Sequence, residues 1–378
     1  MKFIHLSDLH LGKRVNEFNM IDDQEFILKE ILSIIDEEKP DGVLIAGDIY
    51  DKAVPSQEAV QLFDDFLTSL SQKKLDVFII YGNHDSPERL AFASRLLNKS
   101  GIHLSPVYDG NIVCHRMEDE YGPVNVFLLP FVKPAHVRRF YPEPEIHTTD
   151  EAVKTALKAA SVDPSERNIL LAHQFVAGAL PSESEEVSVG GTDNVDASAF
   201  EAFDYTALGH LHRPQEIGSL NVRYCGSPLK YSFSEVSNEK SVTVVTLKEK
   251  GNLKISCIPL KPLHEMQVLK GTYDELASRS FYIEKNTDAY THLTLTDEND
   301  IPDAIGKLRI IYPNLMKLSY DNTRTKNTAK IEEGLAEIRQ SPIELFAAFY
   351  ELQNGQELSE EQTAFAKTLA EEIWGGEA

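Results

Sequence analysis

Five short polar motifs constrain this chain more than any other feature, because each stands at the end of an apolar, strand-like run. They are Asp8-Leu9-His10, Gly47-Asp48-Ile49-Tyr50-Asp51, Gly82-Asn83-His84-Asp85, Ala172-His173 and Gly209-His210-Leu211-His212. The runs Lys2–Leu6, Gly42–Ala46, Asp76–Ile80, 168–172 and 205–208 read as buried strands. Helical patterns separate the first of them. Ile21–Glu38 places Ile27, Ile31, Ile34 and Ile35 on one face, Ser56 caps a helix running to about Gln72, and Pro87 opens a third helix over 87–98. This β-α-β-α-β rhythm predicts a layered α/β domain whose central sheet begins parallel. Polar groups at the carboxyl ends of such strands converge on one edge of the sheet.

The residue types at that edge are metal donors. Asp8, His10, Asp48, Asn83, His173, His210 and His212 offer carboxylates, imidazoles and one amide oxygen, a set suited to Mn²⁺, Fe²⁺ or Zn²⁺. No cysteine joins them, which argues against a structural zinc site. Seven side chains exceed the needs of one ion and suit two ions about 3.5–4 Å apart that share a carboxylate. The natural division gives Asp8, His10 and His212 to one ion and Asn83, His173 and His210 to the other, with Asp48 bridging. His173 is preferred over His115 and His136 because it directly follows the apolar run 169–172. A glycine before Asp48, Asn83 and His210 lets the chain turn sharply and lets ions approach. Two ions so held suit in-line attack of water on a phosphoester. His84, next to Asn83, is placed to protonate or stabilise a leaving oxygen, and Asp51 to accept the second N–H of that imidazole.

In this order the motifs resemble the calcineurin-like metallophosphoesterases. The segment Tyr205-Thr-Ala-Leu-Gly-His-Leu-His-Arg-Pro-Gln215, followed by Val222-Arg-Tyr-Cys-Gly-Ser-Pro228 and Ser232-Phe-Ser-Glu235, narrows the resemblance to the SbcD-type, Mre-like nuclease subunits of bacterial SbcC–SbcD complexes. The likeness covers nearly the whole chain. It implies a four-layer metallophosphoesterase sandwich, a small α+β capping domain that narrows access to the metals, and a C-terminal helical segment that docks on a coiled-coil ATPase of SbcC type. It further implies Mn²⁺-dependent DNA hydrolysis, 3′→5′ exonucleolytic on double strands and endonucleolytic on hairpins and single strands, in DNA end processing, replication and recombination. A homodimer within a heterotetramer follows from the same likeness. Where Asp51 stands, archaeal and eukaryotic relatives carry a histidine that orients the DNA backbone, so Asp51 follows the general phosphatase pattern instead.

The expected domains are residues 1–261 for the nuclease, 262–322 for the cap, and 323–378 for a linker with the partner-binding helix pair. Further strands are expected at 124–129, 222–225 and Ser241–Leu247. In the cap, strands are expected at Met266–Gly271, 280–284, 291–295 and Leu315–Tyr320, with a helix over 302–312. After a polar linker at 321–329, amphipathic helices over 342–350 and 359–374 carry Leu345, Phe346, Phe349, Phe365 and Leu369, an apolar stripe fit for docking.

Charge sets a limit on any nucleic-acid reading. The chain carries a formal net charge of −23, which excludes a broad basic face for DNA. Residues 331–378 hold 11 acidic and 2 basic residues, a net of −9 against −14 for the remaining 330. Arg89, Arg213 and Lys13 lie beside motifs and serve equally as phosphate contacts or as structural ion-pair partners. The other histidines, His5, His103, His115, His136, His147, His264 and His292, read as core or surface. The three cysteines are widely spaced, no apolar run approaches membrane-spanning length, and the first eight residues are not a signal peptide, so a reducing cytoplasm is expected. Two other readings share these residues: a phosphatase or small-molecule phosphodiesterase, which needs no residues beyond 261, and a DNA-tethering subunit, which needs no proton donor beside the metals.

Overall fold

The computed structural model describes residues 1–323 except 93, 144, 183–184, 186–193 and 219–220, together with 325, 346–347, 350, 358–359, 361–363 and 365–366. Two six-stranded sheets dominate it. The first runs Leu253–Pro259, Ser241–Leu247, Lys2–Leu6, Gly42–Ala46, Asp76–Ile80, Ile102–Leu104. Its last four strands are parallel, and the two from 241–259 join antiparallel at the other side. The second runs Gln215–Ile217, Val222–Tyr224, Tyr205–Gly209, Arg167–His173, Gly122–Leu129, Val113–Asp119. Here too four central strands are parallel, with antiparallel edges.

Strands buried on both faces must be apolar throughout, and these are. Phe3, Leu44 and Phe78 of the first sheet share a fully buried layer with Val126, Leu171 and Tyr205 of the second. The helices Ile21–Glu38 and Gln57–Gln72 cover the outer face of the first sheet through Ile27, Ile31, Phe63 and Phe66. Thr149–Ala159 covers the second through Val153 and Ala156. The result is a helix–sheet–sheet–helix sandwich of four layers. Ser56 caps its helix as expected, its Oγ accepting the Ala59 N–H at 3.2 Å.

Three expectations about local structure are corrected. The helix predicted over 87–98 is broken into Pro87–Leu90, Ser94–Leu97 and a 3₁₀ turn. The segment 280–284, rich in strand formers, folds as the helical turn Arg279–Tyr282, with Ser278 leading in. The helix expected over 302–312 is shorter, Ala304–Arg309. Met266–Gly271, Tyr290–Leu295 and Leu315–Tyr320 form a three-stranded sheet in that order. The chain divides into two compact units, Met1–Leu269 with Leu276–Leu293 and Asp303–Leu318, and Lys270–Glu275 with Thr294–Pro302 and Ser319–Ala378. No helix among the described residues is long and apolar enough to cross a membrane.

Candidate metal centre

Five parallel strands deliver the polar motifs to one edge, three from the first sheet and two from the second. Pairing continues past the strand ends. The N–H groups of Asp8, His10 and Leu11 donate to the carbonyls of Gly47, Asp48 and Ile49 at 3.0, 3.0 and 2.9 Å, so the first two motifs run side by side. Four of the predicted ligands sit in the left-handed backbone region: Asp8 at φ 53°, His10 at 45°, Asp48 at 49° and His210 at 103°. Such a backbone costs a non-glycine residue about 1–3 kcal/mol and persists where its surroundings over-determine it. Close approach fixes two glycines nearby. A Cβ on Gly82 would collide with the Asp48 carboxylate, and one on Gly209 with the Ala46 carbonyl in the facing sheet.

The structure brings all seven predicted ligands together. His10 Nε2 and His212 Nε2 face each other at 3.0 Å. Asp48 Oδ2 lies 3.3 Å from His173 Nε2 and 3.7 Å from His10 Nε2. Asn83 Oδ1 lies 3.1 Å from His173 Nε2 and 3.0 Å from His210 Nδ1. The Asp8 carboxylate accepts the His210 N–H at 2.9 Å and the Ser7 hydroxyl at 2.5 Å. One ligand atom from each of Asp8, His10 and His212 lies within 4.8 Å of the others, as it does for Asp8, Asp48 and His173 and for His10, Asp48 and His84.

The donor set fits cations on its own chemistry. Burial opposes the charge of Asp48, yet the His173 imidazole outweighs it and holds the carboxyl well below the usual range. His173 is fully buried, which alone would lower its pKa, but Asp48 raises it to about 9. Burial keeps His10 neutral well below its ordinary range and takes His210 down to about 3. Neutral ring nitrogens pointed at one another and at an ionised carboxylate, with water largely excluded, make a site that favours divalent ions.

His84 stands beside this cluster, its ring 4.9 Å from that of His10 and its backbone N–H donating to Asp48 Oδ1 at 2.9 Å. The expected partnership with Asp51 is corrected. His84 Nδ1 lies 3.0 Å from the main-chain oxygen of Asp51, while the Asp51 carboxylate accepts Lys13 Nζ at 2.7 Å and lies 3.8 Å from His10 Nδ1. Lys13 is thereby half of an ion pair, whereas Arg89 and Arg213 extend from the surface. Of the predicted docking residues, Phe346 and Phe365 are exposed, and Leu345, Phe349 and Leu369 lie outside the described residues.

Several site residues carry no recognisable signal in the sequence. Asp85, the last letter of its motif, accepts N–H groups from Ile49, Tyr50 and Gly82 at 3.1, 2.9 and 2.9 Å, tying two ligand loops together. Tyr231 sets its ring edge-on to those of His10 and His212. Glu235 and Lys240, both buried, form an ion pair at 2.5 Å behind His212. Burial works to neutralise Glu235, but the His212 ring and the Lys240 ammonium hold its pKa down at about 2. Only spatial proximity could have found these three.

A family model described as calcineurin-like phosphoesterase matches residues 1–214, and one described as type 5 capsule protein repressor C-terminal domain matches 262–354. The SbcD subunit of the SbcCD nuclease from Staphylococcus epidermidis is 32% identical over 378 residues, covering 98% of each chain. Solved structures with likeness include a dimetal phosphatase from Danio rerio, 12% identical over 70% of this chain and 98% of that one, with a TM-score of 0.44. The protein TT1561 of Thermus thermophilus is 15% identical over 68% and 98%, with a TM-score of 0.40. Given the model spanning more than half its length and the relative matched almost end to end, the chain belongs to the calcineurin-like phosphoesterase family, among its SbcD-type nuclease subunits.

Proposed function

We propose that this protein is a Mn²⁺-dependent DNA nuclease, acting as a 3′→5′ exonuclease on double strands and as an endonuclease on hairpins and single strands, in partnership with a coiled-coil ATPase of SbcC type. One observation carries the reading: seven oxygen and nitrogen donors converge at one sheet edge with His84 beside them. Asp8, His10 and His212 hold one ion, Asn83, His173 and His210 the other, and Asp48 bridges. Two divalent ions bound there supply Lewis acidity toward a phosphodiester and toward water.

The chain's own residues do the rest. The carbonyl of Asp51 takes the His84 Nδ1 proton, which leaves Nε2 as the nitrogen that donates to a departing oxygen. Asp48 ties that imidazole to the donor cluster through the His84 backbone N–H. The relative's name supports DNA as substrate and membership of a two-component complex. Residues 1–261 are the nuclease domain, 262–322 the cap and 323–378 the ATPase-docking segment, a division that the two matched models support. The protein acts in the cytoplasm, as a homodimer within a heterotetramer.

The test is a Mn²⁺-supplemented assay on linear duplex and hairpin DNA, with and without the ATPase partner. Wild type is expected to shorten the duplex from its 3′ ends and open the hairpin. His84→Ala should lose about 10²–10⁴-fold in turnover while still binding two ions. Equal cleavage by the variant and wild type would refute the role of His84, and an inert wild type would refute the nuclease reading.

A further inference from the structure

Metal-binding imidazoles present one nitrogen to the ion and need a partner for the other, and the structure meets that need differently for the two proposed ions. His173 gives Nδ1 to a backbone carbonyl, Ala46 O, at 2.8 Å. His212 turns Nε2 toward His10 and Nδ1 toward carboxylates, with Glu235 Oε1 at 3.6 Å and Glu185 Oε1 at 4.0 Å. Glu185 Oε1 is engaged elsewhere, accepting the backbone N–H of His212 at 2.5 Å. Glu235 is the nearer of the two to the ring.

The surroundings hold Glu235 where it is. Its Oε1 also accepts the Tyr231 N–H at 3.2 Å, and its Oε2 accepts Lys240 Nζ at 2.5 Å. Lys240 donates in addition to the main-chain oxygen of His212 at 2.7 Å and to Ser227 Oγ at 2.9 Å. One ammonium therefore fixes both the backbone of His212 and the carboxylate that faces its ring. Glu235 is 0% exposed and Lys240 5%, so neither serves solubility. A buried ion pair gives little net stability over a packed apolar pair, which suggests another reason for its presence.

We propose that Glu235, clamped by Lys240, is a positioning residue that holds His212 as the Nδ1–H tautomer, presenting Nε2 to the first metal ion and setting that ion's affinity. The inference rests on the proposed assignment of His212 as a ligand. The short gap of 3.6 Å closes with a few tenths of an ångström of ring movement, such as ion binding would bring. A carboxylate partner also makes a ring nitrogen more basic than a carbonyl partner does. The first ion is thus the one whose retention depends on a charged group outside the ligand set.

The experiment combines Mn²⁺ titration by calorimetry with ¹⁵N spectra of the histidine rings. Wild type should show His212 protonated at Nδ1 even before metal is added; an unprotonated Nδ1 would overturn the proposal without any variant. Glu235→Gln keeps the shape and loses the charge. It should bind one of two ions about 10–100-fold more weakly, leave the other unchanged, and show His212 as a mixture of tautomers. The double variant Glu235→Gln/Lys240→Met removes the unpaired ammonium and should give the same pattern if the single variant folds poorly. Wild-type affinity for both ions with an unchanged His212 spectrum would refute the clamp. His212→Ala separates the two ideas: if it still binds two ions at wild-type affinity the ligand assignment is wrong, and if it loses one ion the assignment stands whatever Glu235 does.

Discussion

The ligands announced themselves because they are local. Each sits one to six residues beyond an apolar strand, and a strand end at a parallel sheet's carboxyl edge has few other reasons to hold Asp-x-His or Gly-His-x-His. What supports the ligands was hidden, because a buried carboxylate reads in sequence like any surface Asp or Glu. Asp85 shows the difference: its motif was visible, but its three accepted N–H groups come from two separate loops. The Asp51 side chain was assigned to His84 by spacing alone, and Lys13, 38 residues earlier, takes it instead. Asp85→Ala should strand those three donors at about 1–3 kcal/mol for each one left unsatisfied, part of it recovered by water. The expected readout is a clear drop in the urea midpoint together with weaker Mn²⁺ binding. An unchanged midpoint would mean that the three bonds contribute nothing net.

Elements were legible in proportion to their burial. The central strands are unbroken apolar runs, whereas Val113–Asp119 and Leu253–Pro259 alternate polar and apolar residues at the sheet edges and blend with loops. Phe281-Tyr282-Ile283 has strand-forming side chains but is short enough for a turn of helix to claim it. The junction of the two sheets at the metal edge is where packing is least forgiving. Gly209 of the second sheet lies so near the Ala46 carbonyl of the first that a methyl group has no room. Gly209→Ala should therefore cost about 1–3 kcal/mol through overpacking, and His210, the next residue, should shift with it. Gly251, with nothing within 4 Å of an added Cβ, reports the effect of backbone strain alone at its φ of 81°. Metal titration of both variants checks the argument: only Gly209→Ala should weaken metal binding, and equal weakening in both would point away from the inter-sheet contact.

At the scale of the whole molecule, the charge decides how DNA can be held. A protein that neutralises Z phosphates of duplex DNA loses affinity with salt at a logarithmic slope of about −0.9Z. The cations beside the motifs are few: Lys13 is already paired with Asp51, and Arg89 and Arg213 stand on the surface of a chain with net charge −23. Two or three phosphate contacts at the metal edge then predict a slope of roughly −2 to −3 for the isolated chain. Ca²⁺ in place of Mn²⁺ should allow binding to be followed without cleavage. Adding the ATPase partner should steepen the slope and tighten binding, because the partner brings its own phosphate contacts. Removing residues 323–378 should abolish that gain while leaving the isolated chain's slope and its hydrolysis of a small phosphodiester intact. A slope of about −6 for the isolated chain would reveal a broad basic footprint that its composition does not provide, and would move the DNA grip from the partner to this chain.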